Sequence, residues 1–162
     1  MHLQLQDKTS LVGGSTAGIG LAIAETLAVE GARVIVNGRG ACRVKRAIGS
    51  IHAAVAVARL EALTPDLPKA DAVAEAARRL PGVDIFVNGL DVYVPKPFGQ
   101  ITDADWTAII ETHFLNGVRL SRHYLPRMES AGWRRIIVIS SESAVNTPVK
   151  MVHYAVISDF CT

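Results

Sequence analysis

Apolar positions along the chain fall into two alternating kinds of segment. Short β-branched and aliphatic runs at residues 10–12, 33–36, 83–87 and 135–139 carry the continuous hydrophobicity of strands buried on both faces, the last around Ile136-Ile137-Val138-Ile139. Between them lie Ala- and Leu-rich stretches with helical spacing. Residues 19–30 place Ile19, Ile23, Ala24 and Leu27 on one stripe, and 71–80 forms a second helix closed by Pro81-Gly82. A further helix begins at Thr102-Asp103-Ala104-Asp105, with Thr102 as its cap, and runs towards Met128. Residues 42–58 read as helical despite Gly49, and a weaker strand at 59–63 ends at Thr64-Pro65. No repeat, linker or low-complexity tract interrupts the series.

Strand–helix–strand alternation with continuous apolar strands predicts an α/β fold: a parallel sheet covered on both faces, doubly wound through right-handed crossovers, with about five strands. The length, 162 residues, suits a single domain spanning 1–162. With 49% hydrophobic residues the chain is no disordered segment, and a net charge of +2 without a Lys/Arg block argues against a nucleic-acid partner. Two cysteines, Cys42 and Cys161, are too few for a disulfide scaffold. No apolar run reaches the roughly 20 residues that span a bilayer, and residues 1–7 lack a signal-peptide profile. The expectation is a cytoplasmic domain with no membrane partner and no metal.

The first strand runs straight into Gly13-Gly14-Ser15-Thr16-Ala17-Gly18-Ile19-Gly20 and then a helix. Glycines at such a turn permit positive φ and let backbone N–H groups approach a pyrophosphate, while the helix N-terminus adds partial positive charge. A nucleotide-hydrolase loop would need Gly-Lys-Ser/Thr at the helix start, but Ile19 follows Gly18.

The spacing Gly14-x-x-x-Gly18-x-Gly20 resembles the turn of the short-chain dehydrogenase/reductase family, with Gly13 where the family usually has Thr. The resemblance covers essentially the whole chain, but about the first two-thirds of a typical member. It implies a Rossmann-like NAD(P)-binding domain lacking the family's last strands and helices. It also implies a cofactor set of Gly14, Ser15, Ala17, Gly18, Ile19 and Gly20. Arg39 follows the second strand where an acid would mark NAD, so a 2′-phosphate and NADP are expected rather than NAD. Asp66 and Leu67 match the family's adenine-contacting pair. Asn88 and Gly89 open Asn88-Gly89-Leu90-Asp91, which keeps only the first Asn of the family's Asn-Asn-Ala-Gly and carries an unexpected acid at Asp91.

Tyr154 lies 13 residues beyond Ser141, the family's own spacing, so the resemblance implies Tyr154 as proton donor and Ser141 as the hydroxyl that holds the substrate oxygen. The residue four after Tyr154 is Ser158 rather than Lys. The family's helix Asn is replaced by His113, read as a satisfied helix-surface or core histidine, with Asn116 one turn on. A cation beside a phenol lowers its pKa by about 1–3 units, so losing the Lys removes roughly 1.4–4 kcal/mol of help from proton transfer. The expectation is an NAD(P)(H)-dependent oxidoreductase acting on a carbonyl or alcohol, impaired or inactive in this form. The alternative is a non-catalytic dinucleotide-binding or interaction protein, or the remnant of a decayed gene. Without the family's final two strands the fifth strand is expected to be an open edge, and residues 156–162 end without a clear cap. A homo-oligomer is possible, but with the family's usual interface incomplete.

Overall fold

The computed structural model describes residues 3–159; Cys161 and the end of the 156–162 stretch lie outside the described residues. Five strands form one parallel sheet in the order β3-β2-β1-β4-β5: β1 (Thr9–Gly13), β2 (Arg33–Asn37), β3 (Arg59–Leu63), β4 (Ile85–Asn88) and β5 (Arg135–Val138). The helices α1 (Gly18–Val29), α2 (Ala41–Ala54), α3 (Ala70–Arg79), α4 (Asp103–Ile109), α5 (Asn116–Ser130) and α6 (Val152–Asp159) supply the crossovers and covers. The doubly wound sheet expected from the sequence is present.

Alternation along each strand shows why both faces are covered. Val12, Val34, Val36, Ile85 and Val87 pack on one side with Ala24 and Ala28 of α1 and Val44, Ala47 and Ile51 of α2. Their neighbours Leu11, Ile35 and Phe86 point the other way, onto Val73 and Ala76 of α3 and Leu120, Tyr124 and Met128 of α5. Each fully buried large side chain stabilises the fold by about 1.5–3 kcal/mol, so these two layers dominate its stability. β5 is the exception: Ile137 and Val138 stay 44% and 38% exposed on this outer strand.

Two sequence expectations change. The helix expected over 42–58 stops at Ala54, because Val55 leaves the helical conformation and a tight turn must deliver Arg59 into register with Arg33. Ile19, expected on the buried stripe of α1, is 69% exposed; Gly20, Ala24 and Ala28 are the buried positions. The Thr102 cap forms as expected. Its hydroxyl accepts from the Asp105 N–H while the Asp105 carboxylate accepts from the Thr102 N–H. Lys96 Nζ, 2.6 Å from Asp105 Oδ1, ties the 89–97 loop to this cap, and with Thr102 it holds the Asp105 carboxyl well below the usual carboxylate range.

At the amino ends of the strands, Trp133 lies between two cations, Lys8 Nζ at 4.5 Å and Arg135 Cζ at 4.9 Å from its ring centre. Among the described residues no helix is long and apolar enough to cross a membrane, and no group of three or more His, Cys, Asp or Glu could hold a metal ion.

Tyr124 is fully buried against Phe86, with no partner for its hydroxyl, and burial pushes its pKa up to about 12. An unfolded phenol ionises near 10, so between about pH 10 and 12 the unfolded chain binds fewer protons than the folded one, and stability falls as pH rises. Urea unfolding at pH 8 and pH 11 should show Tyr124→Phe losing roughly 1–2 kcal/mol less than the parent over that interval. It should cost little at pH 8, because it also removes an unsatisfied buried hydroxyl.

Candidate functional site: a groove at the carboxyl ends of the strands

Chain reversal in the strand order occurs at β1, with β2 on one side and β4 on the other, and a crevice opens at such a point. Here it is a cavity of about 640 Å³, lined by residues that follow each strand: Gly14 and Thr16 to Gly20 after β1, Gly38 and Arg39 after β2, Asp66 after β3, Gly89 to Val92 after β4, and Ile139 to Ser141 after β5. Arg43, Thr112, His113 and Tyr154 complete its wall.

The floor is backbone packed on backbone. Gly14 has φ +73°, and a Cβ there would lie 2.7 Å from the Gly89 carbonyl oxygen; a Cβ at Gly20 would lie 2.4 Å from the Gly14 oxygen. Gly18, at φ +55°, faces open space with nothing within 4 Å of its Cβ position, so at the amino end of α1 the turn presents bare backbone to the groove. Ser15 stands behind this turn. Its N–H donates to the Asn37 carbonyl at 3.0 Å, its hydroxyl donates to the Val12 carbonyl at 2.7 Å, and its oxygen accepts from the Asn37 N–H at 2.9 Å. Ser15, expected among the cofactor contacts, thus has both donors committed to the protein and buttresses the turn. The Asn37 amide extends the brace to the carbonyls of Leu63 and Pro65.

Asp66 and Leu67 part company. Leu67 is buried in the core with Leu63 and Val73, leaving only its backbone for the groove. Asp66 lines the groove, and its Oδ1 is buried without a hydrogen-bond partner. Arg39 lines the wall as expected, and exposed Arg43, on the first turn of α2, joins it. The sequence reading missed Arg43; the signal was a second arginine four residues on, across a helix start.

At the other end, Ser141 and Tyr154 come together. The Ser141 oxygen accepts from the Ser143 N–H at 3.2 Å. Tyr154 is 9% exposed, edge-on to the rings of His113 at 5.3 Å and Tyr93 at 5.8 Å between centres. Burial raises its pKa above the usual phenol value; the hydroxyls of Ser141 and Ser158 partly offset this, and the charge of Asp91 adds to it. His153, the preceding residue, turns away and meets Trp106 edge-on at 6.0 Å.

His113 is the buried, hydrogen-bonded histidine expected, and it also forms part of the wall of this site. Residues 110–115 form a π-helical segment between α4 and α5, and its wider turn frees carbonyls from the α ladder. The Asn88 amide donates to the His113 carbonyl at 2.9 Å and accepts from Asn116 Nδ2 at 3.0 Å. Asn88 and Asn116 therefore clamp the segment from within, both fully buried, and neither lines the groove. The clamp aims the His113 ring at the loop after β4, where Nε2 lies 3.0 Å from Val92 N and 3.2 Å from Asp91 Oδ1.

Comparison with known proteins gives one consistent result. A family profile described as short chain dehydrogenase matches residues 8–156. The chain is 41% identical over 155 residues to the uncharacterized oxidoreductase YvaG of Bacillus subtilis, covering 96% of this chain and 59% of that protein. It is 34% identical over 153 residues to a D-beta-hydroxybutyrate dehydrogenase of Rhizobium meliloti, covering 91% and 59%. Among solved structures it superimposes with a TM-score of 0.91 on L-sorbose reductase of Gluconobacter frateurii, complexed with NADPH and L-sorbose, at 28% identity over 99% of this chain and 62% of that one. The chain thus spans about three-fifths of the length of these relatives.

The two left-handed glycines should respond differently to a methyl group. Gly18→Ala meets open space and costs only the backbone strain, about 1–2 kcal/mol, whereas Gly14→Ala adds a clash with the Gly89 carbonyl and should cost about 2–4 kcal/mol. Urea unfolding of both variants measures the difference.

Proposed function

The chain belongs to the short-chain dehydrogenase family, and on that footing we propose that it binds NADP(H) along the groove and catalyses, slowly, hydride exchange with a small carbonyl or alcohol. The observation that carries this reading is the layout of one continuous groove. Bare glycine backbone and two arginines line one end, and the hydroxyls of Ser141 and Tyr154 stand at the other.

The residues present fit such a nucleotide. The open space over Gly18 leaves room for a pyrophosphate against the start of α1. The orphaned Asp66 Oδ1 is an acceptor suited to an adenine amino group. Arg39 and Arg43 together offer forked donors to a 2′-phosphate, which favours NADP over NAD. When bound, the nicotinamide supplies or takes the hydride.

The chain's own part is proton handling and orientation. The Ser141 hydroxyl accepts from the Ser143 N–H and hydrogen-bonds Tyr154, so the two hydroxyls stand together where a substrate oxygen would be held. Tyr154, with its pKa raised, keeps its proton at neutral pH and serves as the acid for an oxygen that gains charge as a carbonyl is reduced. The same shift makes it a poor base for alcohol oxidation. Ser158 brings a hydroxyl but no charge to the position where the family pattern has Lys, which is why turnover is expected to be slow. That observation also favours a second reading, a dinucleotide-binding protein without turnover.

Titration with NADPH, followed by nucleotide fluorescence, should give saturable binding. The double variant Arg39→Ala, Arg43→Ala should weaken it at least about tenfold while leaving NADH affinity unchanged. Equal losses for both nucleotides would remove the 2′-phosphate assignment, and absence of binding would remove the function. With a panel of small ketones, Ser158→Lys should raise NADPH consumption about 10- to 1000-fold, the equivalent of 1–3 units on the phenol, and Tyr154→Phe should abolish it. No consumption in the parent or the lysine variant, despite binding, would select the second reading.

A further inference from the structure

The pyrophosphate and any 2′-phosphate are common to the oxidised and reduced forms of a nicotinamide dinucleotide, so Arg39 and Arg43 attract the two forms alike. The forms differ at the ring, which carries one positive charge when oxidised and none when reduced. Hydride transfer requires the reacting ring carbon to touch the carbon whose oxygen Tyr154 and Ser141 would hold. The variable charge therefore belongs at the Tyr154 end of the groove. Among the described residues lining the groove, the carboxylates are Asp66, which follows edge strand β3 at the far end, and Asp91, which follows β4. Asp91 Oδ1 lies 3.2 Å from His113 Nε2, and the His113 ring stands edge-on to Tyr154 at 5.3 Å between centres, which puts this carboxylate at the Tyr154 end.

We propose that Asp91, held by His113, biases the groove toward the oxidised form of the dinucleotide. This rests on the nucleotide-binding reading above and adds a selectivity to it. The His113 imidazole fixes the loop that carries this carboxylate: Nε2 accepts the Val92 N–H at 3.0 Å and lies 3.2 Å from Asp91 Oδ1. The Asp91 side chain is 54% exposed, so the charge is screened and the effect is one of ratio, not of all-or-none binding. A ligand shifts a preference only by its differential interaction, and a single carboxylate beside a ring of variable charge is such a difference. In this account Asp91 is a selectivity residue and His113 a positioning residue.

The test compares dissociation constants of NADP⁺ and NADPH, by calorimetry without any substrate, for the parent chain, Asp91→Asn and Asp91→Glu. The ratio of the NADPH constant to the NADP⁺ constant should fall about three- to tenfold in Asp91→Asn and stay near the parent value in Asp91→Glu. Adenosine 2′,5′-bisphosphate, which lacks the ring, should bind Asp91→Asn as it binds the parent. A ratio unchanged within twofold in Asp91→Asn overturns the proposal while leaving the nucleotide site intact, and so does a parallel loss of all three ligands. Should Asp91→Asn fail to fold, Asp91→Ser is read the same way. If neither dinucleotide nor the bisphosphate binds the parent chain, the reading of the groove fails and this proposal with it.

Discussion

Three stretches of backbone meet at van der Waals distance with no side chain between them: the turn after β1, the first turn of α1 and the residue after β4. A Cβ at Gly14, Gly20 or Gly89 would come within 2.4–2.9 Å of a carbonyl oxygen of one of the others. Because a Cβ has no room there, the end of β4 can sit directly against the end of β1, and α1 can begin immediately above them. The groove is the space left on the open side of that contact. Its depth and the exposure of the α1 N-terminus follow from three glycines, and the brace of Ser15 and Asn37 behind the turn keeps the arrangement rigid.

Strand positions were legible because the apolar runs are continuous and the sheet is covered on both faces, so Val34, Ile35 and Val36 are all wanted inside. The glycine turn was legible because its spacing has one geometric purpose. Features set by tertiary neighbours were not. The hydrophobicity of Ile19 and Leu67 cannot say which of them faces a groove and which a core, and the answers differ: one is 69% and the other 1% exposed. Ser15 looks like any turn serine until Asn37 is known to lie beside it. The π-helical segment has no periodicity of its own in six residues; it depends on Asn88, 25 positions before His113, taking up a carbonyl that the α ladder releases. Sequence spacing placed Ser141 and Tyr154 in one series, but the burial that raises the Tyr154 pKa and the Asp91 charge that adds to it come from tertiary packing, with Tyr93 and His113 edge-on to the ring.

The groove is electrically uneven. Its β2 side carries the guanidinium groups of Arg39 and Arg43, suited to anionic oxygens, while the Tyr154 end carries a carboxylate and an imidazole. Among the described lining residues the other polar side chains at that end are hydroxyls, which act on oxygen through hydrogen bonds. In the proposed reading, binding rests on the arginine end and proton handling on a phenol whose pKa is raised, so affinity and turnover would be governed by different residues of one groove.

The placement of the two tryptophans has an optical consequence. Trp133 is gripped between Lys8 and Arg135 where β1 and β5 begin, and Trp106 rests against the ring of His153 on the helix that carries Tyr154. Emission from the first follows the integrity of the sheet, and emission from the second follows the seating of α6 on α4. Local and global opening need not coincide in a domain of this kind. With either indole replaced by phenylalanine, the remaining one lets a spectrometer watch one of these two regions loosen independently of the other.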